Sequence, residues 1–333
     1  MNTAGDQAWR PTASLATLEL RARLLAATRA FFAARGVLEV ETPALVAHGV
    51  TDPHLANVAA TLAGPPASRL WLHTSPEYHM KRLLAAGAPD IYQLGKVWRD
   101  GERGRWHAPE FTLLEWYRHG FTQQTLADEV VALVACLCAA AGRAAPAVRQ
   151  ASYAAVFIET TGIDPLTAPL ESARAAAARL PGGVVDDRLR AALGDDRDGW
   201  LDLLLTHAVT PALAGSGLCV VTDYPADQAM MARRNPADPR VAERFEVFWD
   251  GLELANGYHE LADAAEQAGR FAADRARRRA AGLPDVEPDR ALLAALAAGL
   301  PDCAGVAVGF DRVVMRVLGV DRIDAVLGFG PGS

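Results

Sequence analysis

The sequence contains little cysteine, with four residues in a chain of 333. Cys136 and Cys138 lie two positions apart in an apolar stretch, and Cys219 and Cys303 are isolated. Structural zinc sites usually carry their cysteines as C-x₂₋₄-C pairs with further ligands nearby. The cysteines therefore predict buried, reduced thiols, and they argue against a disulfide framework or a structural zinc site.

An excess of positive charge is also missing. The chain has 33 Lys and Arg against 40 Asp and Glu, which gives a formal net charge of −7 and a pI of about 5.6. Nucleic-acid binding depends largely on neutralisation of phosphates, and it favours a basic protein face. The composition therefore disfavours a protein whose main partner is nucleic acid.

Long hydrophobic runs are absent as well. The longest uncharged apolar run, residues 130–142, is far short of the ~20 residues that a helix needs to cross a bilayer. Residues 1–14 lack the charged start and apolar centre of a signal peptide. We therefore expect a cytoplasmic protein with no membrane contact.

The most informative segment consists of two alternating stretches joined by a short polar loop, residues 95–117. Side chains alternate between faces along a strand. Arg99 ends the first stretch, and Phe111, Glu115 and Tyr117 share one face of the second. Such a hairpin can present a cation, an aromatic ring and a carboxylate to one small ligand, for which we predict a nucleotide plus an amino acid.

Periodicity predicts an α+β arrangement. Leu18, Leu25 and Phe32 recur at helical spacing, and Asp250-Gly251 between alternating runs is a hairpin signal. The predicted helices are residues 14–35, 75–84, 122–142 and 263–281; strands are predicted at 69–73 and 91–118, and helices and loops over 143–215. These elements favour an antiparallel sheet flanked by helices.

Four segments resemble, in matching order, the conserved motifs of class II aminoacyl-tRNA synthetases of the lysyl type. They are residues 35–46 for motif 1, 95–117 for motif 2, 251–271 for an acidic strand and 305–319 for motif 3. The resemblance implies the class II catalytic fold, an antiparallel sheet flanked by helices. Because the matches span most of the chain, we expect a single catalytic domain over residues 1–333.

The lysyl enzymes carry an anticodon-binding barrel before motif 1, whereas here only a short polar tail precedes the motif 1 helix. The sequences of residues 75–84, 110–118 and 253–261 are similar to those of the truncated branch of the family, which ligates lysine to elongation factor P. This resemblance implies elongation factor P as protein substrate, with ATP and lysine or β-lysine as small substrates and no anticodon recognition. Motif 1 forms the dimer interface in this family, so a homodimer is also implied.

The resemblance implies catalytic roles for two arginines. Arg99 matches the motif 2 arginine that holds the α-phosphate and the substrate carboxylate, and Arg312 matches the motif 3 arginine that holds the γ-phosphate. The planar guanidinium fork suits phosphate oxygens, and cations aimed at them lower the barrier to adenylate formation. Phe111 matches the aromatic residue that stacks on adenine, His107 would lie near the outer phosphates, and Gly309 would let the backbone approach the nucleotide.

The loop departs from the family pattern at two places. Asp100-Gly101 follows Arg99 where the lysyl enzymes have Asn-Glu, with Glu102 one position further on, and Ala108 replaces an asparagine. All four positions are matched to ATP contacts. We expect weaker or rearranged nucleotide binding rather than inactivity.

The acidic strand implies a magnesium site. Glu253 and Glu260 match the residues that hold Mg²⁺ against the ATP phosphates, with Leu254 beside the nucleotide, and Mg²⁺ commonly uses one or two carboxylates plus phosphates. A separation of seven would place the two glutamates on opposite faces of a regular strand. We therefore predict a break in the strand at Gly257. Glu260 could instead, or also, face the substrate amine.

Seven positions match substrate contacts in the family. A substrate with two amines requires carboxylates, because burying an unpaired ammonium is costly. An alanine at 307, where the tRNA-charging enzymes have glycine, and Ala262, where they have asparagine, favour a lysine whose amine has moved to the β-carbon. The positions are Ser75, Pro76, Glu77, Glu115, Tyr117, Glu260 and Ala307.

The interpretation is an ATP-dependent ligase that makes an aminoacyl-adenylate and transfers the aminoacyl group to a lysine of elongation factor P. Two alternatives stay open at this point. The acceptor could be a tRNA bound by its acceptor end alone, although the net charge disfavours it. The chain could also be a catalytically silent amino-acid sensor, although both phosphate arginines are present.

Overall fold

A computed structural model describes residues 9–331 of the chain. The chain divides into two compact units, which are described separately below. The first comprises Met1–Phe121, Ala132–Ala145 and Ala262–Ser333, and the second comprises Thr122–Val131 and Pro146–Leu261. Residues 1–8, on which the signal-peptide argument partly depends, lie outside the described residues. The expectation of one catalytic domain over the entire chain stays a prediction.

Helices form at all four segments for which the sequence predicts them, as α1, α2, α3 and α9 below. The Ser14 hydroxyl caps the first helix by accepting a hydrogen bond from the backbone N–H of Thr17, at 3.1 Å. Gly36 follows the same helix with a φ of 68°, which favours glycine. The helices are α1 (Leu15–Ala33), α2 (Glu77–Ala85), α3 (Gln123–Ala140), α4 (Tyr153–Thr161), α5 (Leu170–Ala177), α6 (Asp187–Leu193), α7 (Arg197–Leu204), α8 (Thr210–Ala212), α9 (Ala264–Ala280), α10 (Arg290–Gly299) and α11 (Phe310–Leu318).

The strands confirm the α+β prediction. Residues 69–73 and 91–118 do form strands, the latter as a hairpin around the polar loop, and β7 falls in a region predicted to hold only helices and loops. The strands are β1 (Leu38–Glu39), β2 (Leu45–Val46), β3 (Ala59–Leu62), β4 (Ser68–Leu72), β5 (Ile91–Trp98), β6 (Glu110–His119), β7 (Val148–Ser152), β8 (Leu218–Pro225), β9 (Val241–Trp249), β10 (Leu252–His259) and β11 (Cys303–Gly309).

In the first unit, the strand order is β1-β5-β6-β11, with β1 parallel to β5 and the other pairs antiparallel. The register places side chains in rows across three strands. Gln93, Glu115 and Ala307 stand opposite one another, and the next row is Gly95, Leu113 and Gly309. Residues opposite one another share a face, so these two rows lie on one face, here called the hairpin face.

The opposite face of these strands packs against α1. The ring of Phe32 stacks on Tyr92 with centroids 4.4 Å apart and meets the edge of Trp116 at 5.2 Å. Phe32 and Trp116 are completely buried. Aromatic pairs in these geometries stabilise a core beyond the area that they bury. One face of the hairpin therefore belongs to the core, which leaves the other face for a site.

In the second unit, the strand order is β10-β9-β8-β7, with only the last pair parallel. Helices α4, α5 and α7 supply buried side chains that pack with β8 and β9. Tyr153, Phe157 and Trp200 are among the largest of them, and all three are completely buried. The alanine-rich region of the sequence is therefore a folded core rather than a linker.

The β9–β10 hairpin has the predicted two-residue turn. Trp249 pairs with Leu252, and the turn residues Asp250 and Gly251 have φ values of 47° and 78°. Positive φ at both positions is the type I′ geometry that Asp-Gly favours. The hairpin prediction is confirmed.

The predicted break at Gly257 is wrong. Gly257 pairs in register with Phe245, and the irregularity lies instead between Glu253 and Ala255, where Leu254 is the extra residue of a β-bulge. An extra residue shifts the alternation of faces by one position. The bulge therefore places Glu253 and Glu260 on the same face. A break at Gly257 was predicted for this same reason, because a regular strand would place them on opposite faces.

Helix α3, with 18 residues, is long and apolar enough to cross a membrane by length and composition alone. The helix contains Asp128 and Glu129 before the uncharged apolar run at residues 130–142. Nearly half of it, 44%, is buried inside the protein. A buried apolar core helix passes the same test, so the finding is weak evidence for a membrane segment.

Candidate active site

The first unit places most of the predicted site residues on the hairpin face or at its ends. Phe111, Glu115 and Tyr117 alternate along β6 on that face, and Ala307 lies opposite Glu115. Rows on one face of a strand are about 7 Å apart. The face therefore offers successive positions along which an extended ligand can lie, with Phe111 at one end and Tyr117 at the other.

Arg99 lies just beyond the end of β5. Its Nε donates to the carbonyl oxygen of Thr74 at 3.4 Å, and its Nη1 lies 3.6 Å from Glu102 Oε1. Its guanidinium carbon lies 5.1 Å from the centre of the Phe111 ring, within the range of a cation–π contact. The predicted phosphate arginine and the predicted adenine platform are thus neighbours.

Arg312 and His107 are in direct contact, although 205 positions separate them. Nη2 of Arg312 lies 2.8 Å from Nε2 of His107. A guanidinium can only donate hydrogen bonds, so the imidazole accepts at Nε2 in this arrangement. The contact joins the motif 2 loop to the motif 3 helix and brings together the two side chains predicted to face the outer phosphates.

The departures in the loop are accommodated locally. Gly101 has a φ of 78°, which the glutamate of the family pattern would adopt only with strain. The carboxylate of Asp100 accepts a hydrogen bond from the backbone N–H of Gly101 at 2.8 Å. Ala108 is buried, while Glu102 pairs with Arg99. The turn is thus held by Asp100 and Gly101 together, and their roles in ATP binding stay predictions.

Glu115 is the centre of the predicted amino-acid pocket. Its side chain is buried, with an exposed fraction of 2%. Oε2 accepts a hydrogen bond from the Ser75 hydroxyl at 2.6 Å, and Oε1 accepts one from the Tyr117 hydroxyl at 2.8 Å. Both donors are neutral, so the negative charge of Glu115 is oriented but is not neutralised by either hydroxyl.

Glu77 differs from Glu115 in its partner. Nζ of Lys81 lies 2.8 Å from Glu77 Oε1, and the Lys81 side chain is completely buried. The backbone N–H of Glu77 also donates to the Ser75 hydroxyl oxygen at 3.0 Å, just after Pro76 at the start of α2. Glu77 is therefore paired with a buried cation, and the assignment of Glu115 to a substrate ammonium stays a prediction.

Replacing Lys81 with Met should destabilise the protein by about 3 kcal/mol, because it leaves Glu77 beside a buried apolar side chain without its cation. The midpoint of urea unfolding measures this loss. Lys96→Met is a matched control, since Lys96 is 43% exposed and its nitrogen lies 3.5 Å from Glu110. The control should cost less than about 1 kcal/mol, and equal losses would contradict a structural role for the Lys81 pair.

The acidic residues lie on the second unit. Glu253 and Glu260 lie on one face of the β10 segment. Glu246, on the neighbouring strand β9, lies on the same face because it pairs opposite Asn256. Glu246 is buried and accepts hydrogen bonds from the Tyr224 hydroxyl at 2.6 Å and from Arg244 at 2.5 Å. Burial raises the pKa of Glu246, and the charge of Glu253 raises it further, while Arg244 opposes both.

Carboxylate oxygens are the protein ligands that Mg²⁺ prefers, so the donor chemistry of Glu253 and Glu260 fits this ion. In residues 9–331, no group of three or more His, Cys, Asp or Glu side chains is arranged as a ready-made metal site. Mg²⁺ bound through one or two carboxylates and substrate phosphates does not require such a group. The assignment of Glu253 and Glu260 as metal ligands stays a prediction.

Sequence reasoning missed a buried cluster behind the hairpin. Nη1 of Arg21 lies 2.5 Å from Asp311 Oδ1, and Oδ2 of Asp311 accepts a hydrogen bond from the backbone N–H of Thr112 at 2.7 Å. Arg21 also donates to the Thr112 hydroxyl at 2.8 Å. The cluster fixes the start of α11 against β6, so it positions Arg312, the next residue after Asp311. The sequence signal that could have indicated this cluster was Asp311, an acidic residue with no assigned role directly before the motif 3 arginine.

A cavity of about 710 Å³ lies on the other side of the hairpin. Its lining includes Leu94, Lys96 and Thr112 from β5 and β6, Arg21 from α1 and the segment 327–331. These strand residues face away from Glu115, so the cavity is distinct from the predicted amino-acid pocket.

Comparison with known proteins agrees with this geometry. The family model described as tRNA synthetases class II (D, K and N) matches residues 7–331. A protein of Vibrio cholerae serotype O1 named elongation factor P–(R)-β-lysine ligase is 48% identical over 326 residues, which cover 96% of this chain and 97% of the relative. Proteins of the same name from Vibrio parahaemolyticus and Vibrio campbellii are 47% and 46% identical over the same lengths and shares.

The sequence-based resemblance is therefore confirmed for the family. The match runs through both described units, and it includes the hairpin, the acidic strand and the motif 3 helix in their expected order. This chain belongs to the class II tRNA synthetases of the D, K and N type.

Proposed function

We propose that this chain is an ATP-dependent ligase that activates (R)-β-lysine as its adenylate and transfers it to the ε-amine of a lysine on elongation factor P. The observation that carries the proposal is the hairpin face of the first unit. One end has Arg99 next to Phe111, and the other has the buried carboxylate of Glu115 held by two hydroxyls. A ligand with an anionic nucleotide end and a cationic amino-acid end matches that order of charges. The printed names of the three relatives support the choice of substrates.

In the first step, a carboxylate oxygen of the amino acid attacks the α-phosphorus of ATP. The bond from that phosphorus to the bridging oxygen breaks, and pyrophosphate leaves. Arg99 would stabilise the charge on the α-phosphate, and Arg312, oriented by His107, would hold the γ-phosphate. Phe111 would stack on the adenine, and Gly309, which has no side chain, leaves space at the start of α11.

ATP-using enzymes of this class generally work with Mg²⁺. Glu253 and Glu260 would hold the ion, and Glu260 could instead, or also, face the substrate amine. When bound, Mg²⁺ supplies positive charge to phosphate oxygens. The carboxylates orient this charge, and the bulge at Leu254 sets which face of β10 they occupy.

In the second step, the ε-amine nitrogen of the acceptor lysine attacks the carbonyl carbon of the adenylate. The bond from that carbon to the phosphate oxygen breaks, AMP leaves, and the nitrogen loses a proton to form the amide. No enzyme nucleophile is needed, because orientation and electrostatic stabilisation supply the rate.

The assembly and location of the protein are part of the proposal. We infer a homodimer built on motif 1, because β1 is an edge strand of the sheet and its Leu38 has an exposed fraction of 50%. An unpaired strand edge with an exposed apolar side chain can pair with a second chain. We also propose a single catalytic domain that works in the cytoplasm without reading an anticodon.

The test is the intact mass of purified elongation factor P after incubation with the protein, Mg²⁺, ATP and (R)-β-lysine. The proposed function requires a gain of one lysyl group that depends on ATP. No gain, with ATP still converted to AMP, would contradict the acceptor and favour a tRNA end. No ATP use at all would favour a catalytically silent sensor.

Replacing Ala307 with Gly should shift the preference toward α-lysine, because it removes a methyl group opposite Glu115. One methyl group in a pocket changes a preference by roughly tenfold or more. The measurement is the ratio of kcat/KM for β-lysine to that for α-lysine in ATP–pyrophosphate exchange. Ala304→Gly, in the same strand but opposite Arg118 on the other face, is the control, and an unchanged ratio in Ala307→Gly would contradict the pocket assignment.

A further inference from the structure

Gln93 lies in the middle of β5 on the hairpin face, directly opposite Glu115. Its exposed fraction is 8%. A Cβ built on Gly95 would lie 3.7 Å from Gln93 Nε2, so the side-chain amide extends over Gly95. The family resemblance assigned no role to this residue, and the steps described above do not use it.

The Gln93 amide oxygen is buried, and within the described residues it has no hydrogen-bond partner. Buried amide oxygens are nearly always satisfied by protein, water or a ligand, because leaving one without a partner costs its full desolvation. Gln93 itself stands in the row that contains Glu115 and Ala307. An N–H donor from a ligand would satisfy the oxygen there.

The row is asymmetric around Glu115. Gln93 offers an amide oxygen on one side, and Ala307 offers only a methyl group on the other. An ammonium group has three N–H donors and needs several acceptors around it. Glu115 supplies the charge, and Gln93 supplies an acceptor in a different direction, so an amine held here is drawn to the Gln93 side.

We propose that Gln93 is a specificity-determining residue whose side-chain oxygen accepts a hydrogen bond from the substrate amine nearest the carboxyl group, the β-amine of β-lysine. The proposal depends on the proposed function, because it names a contact of that same substrate. Gln93 and Ala307 together then determine where the amine lies, because Gln93 offers an acceptor on one side and Ala307 a methyl group on the other. Glu115 then balances the charge without selecting the isomer.

The test compares Gln93→Met with Gln93→Glu in ATP–pyrophosphate exchange. Met has nearly the same shape and no oxygen, so the KM for β-lysine should rise about tenfold or more, as expected for a lost hydrogen bond to a charged group. The kcat should change by less than about threefold, because the amine does not react. Gln93→Glu keeps an acceptor, and its KM should stay at or below that of the wild type.

A competitor separates the two amines of the substrate. 6-Aminohexanoate has the distal amine and no amine near its carboxyl group, so its inhibition constant should be the same for the wild type and Gln93→Met. A KM for β-lysine unchanged in Gln93→Met, or an equal weakening of 6-aminohexanoate, would overturn the proposal. Gln150→Met, an exposed glutamine on β7, is the control and should leave both constants unchanged.

Thermal unfolding of each variant shows whether the change is confined to the site. If Gln93→Met does not fold, Gln93→Asn replaces it, because it keeps the amide and shortens its reach by one methylene. It should raise the KM in the same way, and a wild-type KM in that variant would overturn the proposal. If the wild type exchanges pyrophosphate normally and Gln93→Met and Gln93→Asn keep its KM for β-lysine, only the Gln93 contact is contradicted. A wild type that activates no lysine isomer removes the proposed function together with it.

Discussion

Replacing Arg312 with Ala should lower the rate of adenylate formation by about 10³-fold or more and leave the fold intact. Loss of a single well-placed donor to a developing negative charge costs 10²–10³-fold in typical enzymes, and Arg312 carries a full charge in addition. The measurement is ATP–pyrophosphate exchange at saturating lysine and ATP, together with the thermal unfolding midpoint.

The contact with His107 sharpens this prediction. Because Arg312 donates to His107 at 2.8 Å, His107→Ala should lower the rate less, by about tenfold, and should have almost no additional effect in the Arg312→Ala background. Arg322→Ala is the control, since that side chain is 61% exposed and pairs with Asp324 at 3.0 Å. Wild-type exchange in Arg312→Ala would contradict the γ-phosphate assignment.

Replacing Glu115 with Gln should raise the KM for β-lysine by roughly 10²–10³-fold. The amide keeps the shape of the carboxylate and an acceptor for a hydroxyl, but it removes the negative charge that balances a buried ammonium. Loss of one partner from a buried charged pair has effects of this size. The KM for ATP should change little, because Glu115 lies two rows from Phe111 along β6.

Glu110 provides the matched control on the same strand. It is exposed, its side chain lies on the opposite face, and it pairs with Lys96 at 3.5 Å. Glu110→Gln should leave the KM for β-lysine unchanged. A KM in Glu115→Gln close to that of the wild type would mean that the amine is held elsewhere, and it would also remove the basis of the Gln93 contact.

The hairpin shows why part of the candidate site could be predicted from the sequence. Alternation along a strand depends only on local geometry, so Phe111, Glu115 and Tyr117 could be placed on one face from their spacing. The Asp250-Gly251 turn was readable for the same reason, because two positive φ values favour those residue types.

The bulge at Leu254 shows where local reasoning failed. A glycine is the usual signal of an irregular strand, and Gly257 was chosen on that basis. The actual irregularity falls at a leucine, because pairing with β9 determines which residue is left over. The pairing of Lys81 with Glu77 was nevertheless visible as an i, i+4 spacing on a helix.

The sequence by itself determined the family, the α+β class and the order of the motifs, and it predicted the residue types that would meet the phosphates and the amines. These depend on local patterns and on chemistry that a side chain carries with it. Only the tertiary structure decided which groups are already satisfied. Asp311 pairs with Arg21 and with the backbone of Thr112, and this supports Arg312, while the oxygen of Gln93 is left without a protein partner in the described chain. Burial and hydrogen-bond partners come from residues far apart in the chain, and no pattern along the sequence specifies them.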